Sequence, residues 1–142
     1  NSKNNSVVEF ALRLIEVYKL YDLHPQVLNC LSHPSVEVRK KAINALNEIY
    51  QPDAAAHLID RFHTEEKELQ LLILQLFEVH ATDIELPFLL QCLSHAAVEV
   101  KAAAAKAVYH TQADGIIYIE QQVRITDEPW TVLLPQLKRE GS

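Results

Sequence analysis

An internal repeat is the feature that most constrains how this chain can fold. Residues 29–39 resemble residues 91–101, and both contain a Cys-Leu-Ser-His tetrapeptide, which begins at Cys30 and again at Cys92. Half of the offset between these two cysteines is 31, which leaves room for one further copy between them. A fixed period in this range is typical of proteins built by stacking one small structural unit many times.

Apolar residues recur in register with the 31-residue period. Three columns are apolar in all four copies: Val7, Val38, Leu69 and Val100; Ala11, Ala42, Ile73 and Ala104; and Ile15, Leu46, Phe77 and Val108. A fourth column starts with Tyr18 and Ile49 and is lost at His80 and Thr111. Within one copy these positions are spaced by 4, 4 and 3, which predicts one stripe of an α-helix.

A shorter helix is predicted in front of each of these helices. Pro25 and Pro87 open two of the shorter helices, where the missing N–H of proline costs nothing. The expected pairs cover about residues 25–32 with 35–50, 54–62 with 65–80, 86–94 with 97–111, and 113–124 with 128–138. A lone helix at about 6–21 matches the second helix of a repeat whose first helix is missing. Ser35 and Thr64 are the expected N-cap residues of two second helices.

The pattern Leu31, Val38-Arg39, Ala42 and Ala45-Leu46 resembles a HEAT repeat, and its period is closest to the short HEAT-like repeats named after phycobilisome lyases. The resemblance implies an all-α, right-handed α-solenoid of stacked antiparallel helix pairs, of HEAT-like or ARM type. It covers residues 1–142 as a single domain, with repeats at about 6–21 (partial), 25–50, 54–80, 86–111 and 113–138. It also implies that Arg39 and Lys101 pair with acidic residues of neighbouring repeats.

Composition narrows the function classes. With 2 Gly in 142 residues, neither a barrel with many tight turns nor a Gly-rich phosphate loop is expected. The 13 Lys and Arg against 19 Asp and Glu give a net charge of −6, so the overall field repels polyanions. Residues 39–41 form the one basic run, and nucleic acid is therefore an unlikely partner.

Signals for membranes and compartments are sparse. The longest apolar runs, such as residues 71–74, hold four residues, whereas a membrane helix needs about 20, so no membrane insertion by this segment is expected. The chain starts without Met, which suggests a fragment. Cys30 and Cys92 lie at equivalent positions two repeats apart, roughly 20 Å by helix packing, which is too far for a disulfide. Two free thiols in the core are expected, and they suit a cytoplasmic location, or the cytoplasmic part of a longer chain.

No catalytic or metal-binding group stands out. No two of the seven histidines have the i, i+4 spacing of a helical metal site. His33 and His95 fall in predicted turns, where an imidazole can satisfy backbone groups. Glu65, Glu66 and Glu68 are expected in the first turn of a helix, where the helix dipole favours them. We expect no enzyme activity, no metal and no cofactor.

The helix expected at 65–80 is apolar on more than one side, which predicts a partner beyond its own core. In HEAT-like solenoids the second helices line the concave side. The candidate protein-binding residues are apolar in that groove and polar at its edge: Leu72, Ala102, Ala103, Tyr109, Lys41, Asn44, Gln75 and Lys106. The alternative is that Leu71 and Leu72 only widen the contact between neighbouring repeats.

The function expected from these observations is a non-catalytic protein–protein interaction or scaffolding module. It would bind an unspecified protein partner with the concave face of its second helices, through a few anchor residues. Two alternatives stay open, because a fold does not fix a function. One is a bilin-lyase-like protein, and the other is an accessory or regulatory domain of a larger enzyme or membrane-attached protein.

Overall fold

A computed structural model of the protein describes residues 2–111, with side chains from residue 4 onward. Over these residues the secondary structure is helical, without strands. The α-helices in chain order are α1 (Ser2–Tyr18), α2 (His24–Cys30), α3 (Val36–Ile49), α4 (Ala54–Phe62), α5 (Lys67–His80), α6 (Leu86–Cys92) and α7 (Val98–Thr111). A 3-10 turn over Tyr21–Leu23 leads into α2. We call α2, α4 and α6 first helices, and α1, α3, α5 and α7 second helices.

The helix pairs follow the 31-residue period as predicted. Each helix from α2 to α7 begins and ends within two residues of its expected bounds. The lone helix expected at 6–21 is α1, which begins four residues earlier and ends at Tyr18. The pair predicted at 113–124 and 128–138 lies outside the described residues.

The chain divides into two compact units, and the boundary falls within α5, between Ile73 and Leu74. In the first unit (Asn1–Ile73), α3 packs against both α1 and α2. The repeat column of α3 is fully buried there, at Val38, Ala42, Leu46 and Ile49. Full burial of a large aliphatic side chain stabilises the fold by about 1.5–3 kcal/mol, so this column forms the core of the first unit.

In the second unit (Leu74–Ser142), the described core lies where α6 packs against α7. Val100, Ala104 and Val108 of the repeat column are fully buried. Phe77 and Phe88 meet edge to face, with ring centroids 5.9 Å apart and an interplanar angle of 73°. This arrangement suits the ring quadrupoles and ties the end of α5 to α6.

The helix starts show which local predictions hold. Pro25 and Pro87 lie in the first turns of α2 and α6, as expected. Ser35 is the N-cap of α3, and its Oγ accepts a hydrogen bond from Val38 N at 3.4 Å. The prediction for Thr64 is wrong: α5 starts at Lys67, and the Thr64 hydroxyl donates to Arg61 O at 3.0 Å instead. Thr64 therefore satisfies a carbonyl at the end of α4.

The end of α1 has a left-handed residue. Lys19 has φ 53°, and Leu20 N donates to Ile15 O at 3.1 Å. This is the geometry with which many helices end, although glycine usually holds the left-handed position. The Lys19 side chain reaches Glu48 on α3, with Nζ 3.8 Å from Oε1.

The apolar repeat column is mostly exposed in α1. It consists there of Val7, Ala11, Ile15 and Tyr18, whose equivalents in α3 are all buried. Only Ile15 is buried, whereas Ala11 is exposed, and Val7 and Tyr18 are 66% and 69% exposed. The physical reason is that α1 packs on α3 and buries Leu12 and Ile15, while the rest of its column is left uncovered by the described helices.

Candidate functional site

The eight candidate binding residues all lie on second helices. Lys41 and Asn44 are on α3 and are half-buried, and Leu72 and Gln75 are on α5. Leu72 is half-buried and Gln75 is exposed. The other four candidates are on α7, and all of them are half-buried: Ala102, Ala103, Lys106 and Tyr109. The first compact unit thus contains Lys41, Asn44 and Leu72, and the second contains the remaining five.

The four α7 residues share one face of their helix, because their successive spacings are 1, 3 and 3. We call them the α7 surface. Two of them are alanines, whose short side chains leave space next to the larger side chains of Lys106 and Tyr109. The Tyr109 ring is edge-on to the His110 ring, with centroids 5.5 Å apart. His110 Nε2 is in turn 3.5 Å from Glu78 Oε2, so Tyr109 and Glu78 contact the same imidazole.

In the first unit, Lys41 and Asn44 are three residues apart and so share one face of α3. Leu72 follows the half-buried Leu71, and both precede the buried Ile73 on α5. That Leu72 lines a binding groove stays a prediction, and so does the alternative that Leu71 and Leu72 only widen the contact between neighbouring repeats.

In the basic run at residues 39–41, Arg39 and Lys40 both form ion pairs with carboxylates of the protein. Arg39 Nε lies 2.9 Å and 3.2 Å from the two carboxylate oxygens of Glu65. Its Nη1 donates to His33 O at 2.8 Å and Pro34 O at 3.0 Å. Glu65 belongs to the following repeat, so the pairing with an acid of a neighbouring repeat is confirmed for Arg39.

Glu65 is therefore not the helix-dipole residue that the sequence predicts. It precedes α5 and is buried, with a side chain 2% exposed. Arg61 adds a second positive charge, with Nη2 3.7 Å from Glu65 Oε2. Sequence reasoning missed Glu65 as a partner because its position within the turn between α4 and α5 depends on where α5 starts.

Lys40 forms a second cross-repeat ion pair. Its Nζ lies 2.7 Å from Glu68 Oε1. The hydrogen bond from Lys40 to Glu68, together with the charge of this carboxylate, raises the pKa of the lysine above its ordinary value. Two of the three cations in the basic run thus have carboxylate partners in the protein itself.

His33 and His95 accept backbone hydrogen bonds in turns, as predicted. Ser35 N donates to His33 Nδ1 at 3.0 Å, and Ala97 N donates to His95 Nδ1 at 3.0 Å. The two contacts lie at equivalent positions of the repeat and join the same pair of atoms. These imidazoles therefore stabilise the turn between a first and a second helix.

Cys30 and Cys92 are both free thiols, as predicted. Cys92 is buried, and burial raises the pKa of its thiol to about 12. Cys30 is half-buried, and burial raises the pKa of its thiol as well. An apolar environment disfavours the thiolate, which is the nucleophilic form, so neither thiol is activated.

Between residues 2 and 111, no three His, Cys, Asp or Glu side chains lie close enough together to hold a metal ion. None of the helices there combines the length and the hydrophobicity that crossing a bilayer requires.

The sequence reasoning missed one exposed apolar surface, which lies on α1. Its side chains are Val7, Phe10, Ala11, Leu14, Val17 and Tyr18, and we call it the α1 stripe. A shallow apolar depression is lined by Ser6, Val7, Phe10, Ala11 and Leu14. The sequence contained a signal for this exposed surface, because α1 matches the second helix of a repeat whose first helix is missing.

Comparison with protein-family models gives a match to HEAT repeats. The family model covers residues 1–76, which is more than half of the chain. No curated protein and no solved structure matches the chain. The match agrees with the helix pairs and with the pairing of Arg39 and Glu65 between repeats, and it does not bear on the resemblance to phycobilisome lyases. The chain belongs to the family of HEAT-repeat proteins, which are α-solenoid repeat proteins.

Proposed function

We propose that this chain is a non-catalytic protein–protein interaction module that binds its partner with its second helices. The observation that carries the proposal is the membership of the HEAT-repeat family, whose members are commonly protein-interaction scaffolds. Repeats of this kind contact mainly their neighbours and display an extended surface. The proposal includes the right-handed stacking and the cytoplasmic location expected from the sequence.

The α7 surface supports this proposal in the second unit. Tyrosine is enriched among the residues that dominate binding energies, because it offers a large apolar area and a hydroxyl. The contact of Tyr109 with His110, and of His110 with Glu78, restricts the tyrosine ring before a partner arrives. A side chain that is already ordered loses less entropy on binding. Ala102 and Ala103 leave room beside the ring for a partner side chain.

Lys41, Asn44 and Leu72 play the corresponding role in the first unit. Lys41 and Asn44 supply a cation and an amide on one face of α3, and Leu72 supplies apolar area on α5. All three are half-buried, so part of each side chain is accessible. Binding then depends on a few anchors in each unit rather than on total contact area.

The proposal is tested with Tyr109→Glu and Leu72→Glu in the full-length protein, used as bait for affinity purification and mass spectrometry. Gln91→Glu on α6 and Asp60→Lys on α4 are matched controls, because both residues are exposed on first helices. We expect both test variants to lose the partners that the wild type and controls retain, with Tm unchanged. Retention of the partners, or a large fall in Tm, would place these residues outside the binding surface.

A further inference from the structure

The α1 stripe is a large apolar surface for a helix of this length. Val7, Phe10, Leu14, Val17 and Tyr18 are between 40% and 69% exposed. Their successive spacings of 3, 4, 3 and 1 place them on one side of the helix. Contiguous exposed apolar surface of this kind marks an interaction site more often than single exposed residues do.

The repeat shows what this face is in the other second helices. Four stripe residues, Val7, Ala11, Leu14 and Tyr18, lie one repeat period before Val38, Ala42, Ala45 and Ile49 of α3. All four α3 residues are 0% exposed. The same column is also buried in α7, where Val100, Ala104 and Ala107 are 0% exposed. The α1 stripe is therefore a core face that lacks its cover among the described helices.

In both compact units a first helix packs on the second helix of its own repeat, and in the first unit α1 packs on α3 as well. In the first unit α2 packs on α3, and in the second unit α6 packs on α7. Each of these covers is a seven-residue helix. The buried side chains of α6 are Phe88, Leu89 and Cys92, all uncharged. The α1 stripe likewise contains no charged side chain, so an uncharged apolar face complements it.

We infer that the α1 stripe is a docking site for a short amphipathic α-helix of a partner polypeptide, which binds as α2 binds α3. A second copy of this chain fits less well. A stable dimer interface buries about 800 Å² per partner and involves about 20–30 residues a side, whereas the stripe has six side chains. A short helix needs only a face of this size. The site goes beyond the proposed function, because α1 contributes none of the eight candidate residues, although Phe10 shares the repeat position of Lys41, Leu72 and Ala103.

The probe is a peptide that copies residues 85–94, held helical by a lactam between positions 87 and 91. Both positions are exposed in α6, so the bridge leaves the apolar face intact. The peptide is titrated into the ¹⁵N-labelled full chain under reducing conditions while amide shifts are recorded. We expect saturable shifts at the amides of residues 6–18. The control peptide contains Leu89→Asp, at a position that is 0% exposed in α6, and we expect no binding.

Two protein variants complete the test. Leu14→Asp places a charge in the stripe and should weaken peptide binding at least about tenfold, while circular dichroism confirms that the chain is folded. Val79→Asp, at a valine of α5 that is 71% exposed and lies outside the stripe, should leave the affinity unchanged. An absence of shifts at α1 with millimolar peptide overturns the inference. A dimer in sedimentation that Leu14→Asp dissociates also overturns it, because the occupant is then a second copy.

Discussion

Arg39 and Glu65 form a nearly buried ion pair across two consecutive repeats, with Arg39 Nε 2.9 Å from Glu65 Oε2. The arginine side chain is 12% exposed and the glutamate side chain 2% exposed. The same guanidinium donates to two carbonyls in the turn before α3. One residue thus links the turn after α2 to the turn before α5.

Removing Arg39 leaves the buried Glu65 carboxylate with only its longer contact to Arg61, at 3.7 Å. We expect Arg39→Met to lower the free energy of unfolding by about 3 kcal/mol, as is typical of buried pairs that lose one partner. The double variant Arg39→Met with Glu65→Leu should recover most of that loss, because the buried carboxylate is then removed as well. Urea unfolding measures both values. Lys40→Met is the control, since its pair with Glu68 is accessible to solvent, and it should leave the unfolding midpoint unchanged. Equal stability of the single and double variants would contradict the account.

The two turn histidines should contribute equally, because each accepts one backbone N–H at 3.0 Å. We expect His33→Ala and His95→Ala each to lower the free energy of unfolding by about 1 kcal/mol, the usual value for one lost hydrogen bond. Thermal unfolding is the measurement, and His57→Ala, at an exposed position of α4, is the control. If the control loses as much stability as either turn variant, the hydrogen bonds to Nδ1 are not the cause.

His24 is a buried polar residue that the fold does not fully satisfy. It is 2% exposed, its Nε2 has no hydrogen-bond partner, and its Nδ1 is 3.8 Å from Asp53 Oδ1. The equivalent positions in the next two repeats hold Ala55 and Leu86. We expect His24→Leu to raise the free energy of unfolding by about 1 kcal/mol, because an unsatisfied buried group costs about 1–3 kcal/mol. A denaturation midpoint below that of the wild type would show that the imidazole is better accommodated than these contacts indicate.

The buried thiol of Cys92 predicts a loss of stability in alkali. Its pKa rises from 9.0 to about 12 on folding, so the folded state holds its proton more tightly than the unfolded state. This contribution is fully present below pH 9 and is lost as the pH rises from 9 towards 12. The slope is at most about 1.4 kcal/mol per pH unit. Unfolding of the wild type and of Cys92→Ala is compared between pH 8 and pH 11. The wild type should lose more stability than the variant, and parallel pH profiles would refute the thiol's role.

The thiols of Cys30 and Cys92 should react slowly in the folded protein. We expect a disulfide reagent at pH 8 to modify Cys30 before Cys92, because Cys30 is half-buried and Cys92 is buried. In urea both should react at the rate of a free thiol. The time course of colour release measures the rates, and fast modification of Cys92 in the native protein would contradict its burial.

Helix positions were predictable because they depend on a local property. Val38, Ala42, Leu46 and Ile49 follow the period of an α-helix, and repetition of this stripe located the helices from α2 to α7 to within two residues. The role of His33 was predictable for the same reason, since the amide that it satisfies lies two residues further along the chain.

Features that depend on distant neighbours were not predictable in the same way. Glu65 is buried where it meets Arg39, which lies 26 residues earlier in the chain. Val7 has the same residue type and repeat position as Val38, yet one is 66% exposed and the other 0%. The difference is that α3 packs against both α1 and α2, whereas the corresponding face of α1 has no cover among the described residues. Pattern alone therefore identifies a face that requires burial, and only the structure shows whether it is buried.

Photo-crosslinking in cells tests the central claim, that the second helices carry the binding surface. Benzoylphenylalanine replaces Tyr109 on α7 in the full-length protein, and in a matched variant it replaces the exposed Gln91 on α6. The account predicts a discrete crosslinked partner from position 109 and none from position 91. Crosslinks from position 91 alone, or from neither position, would contradict it.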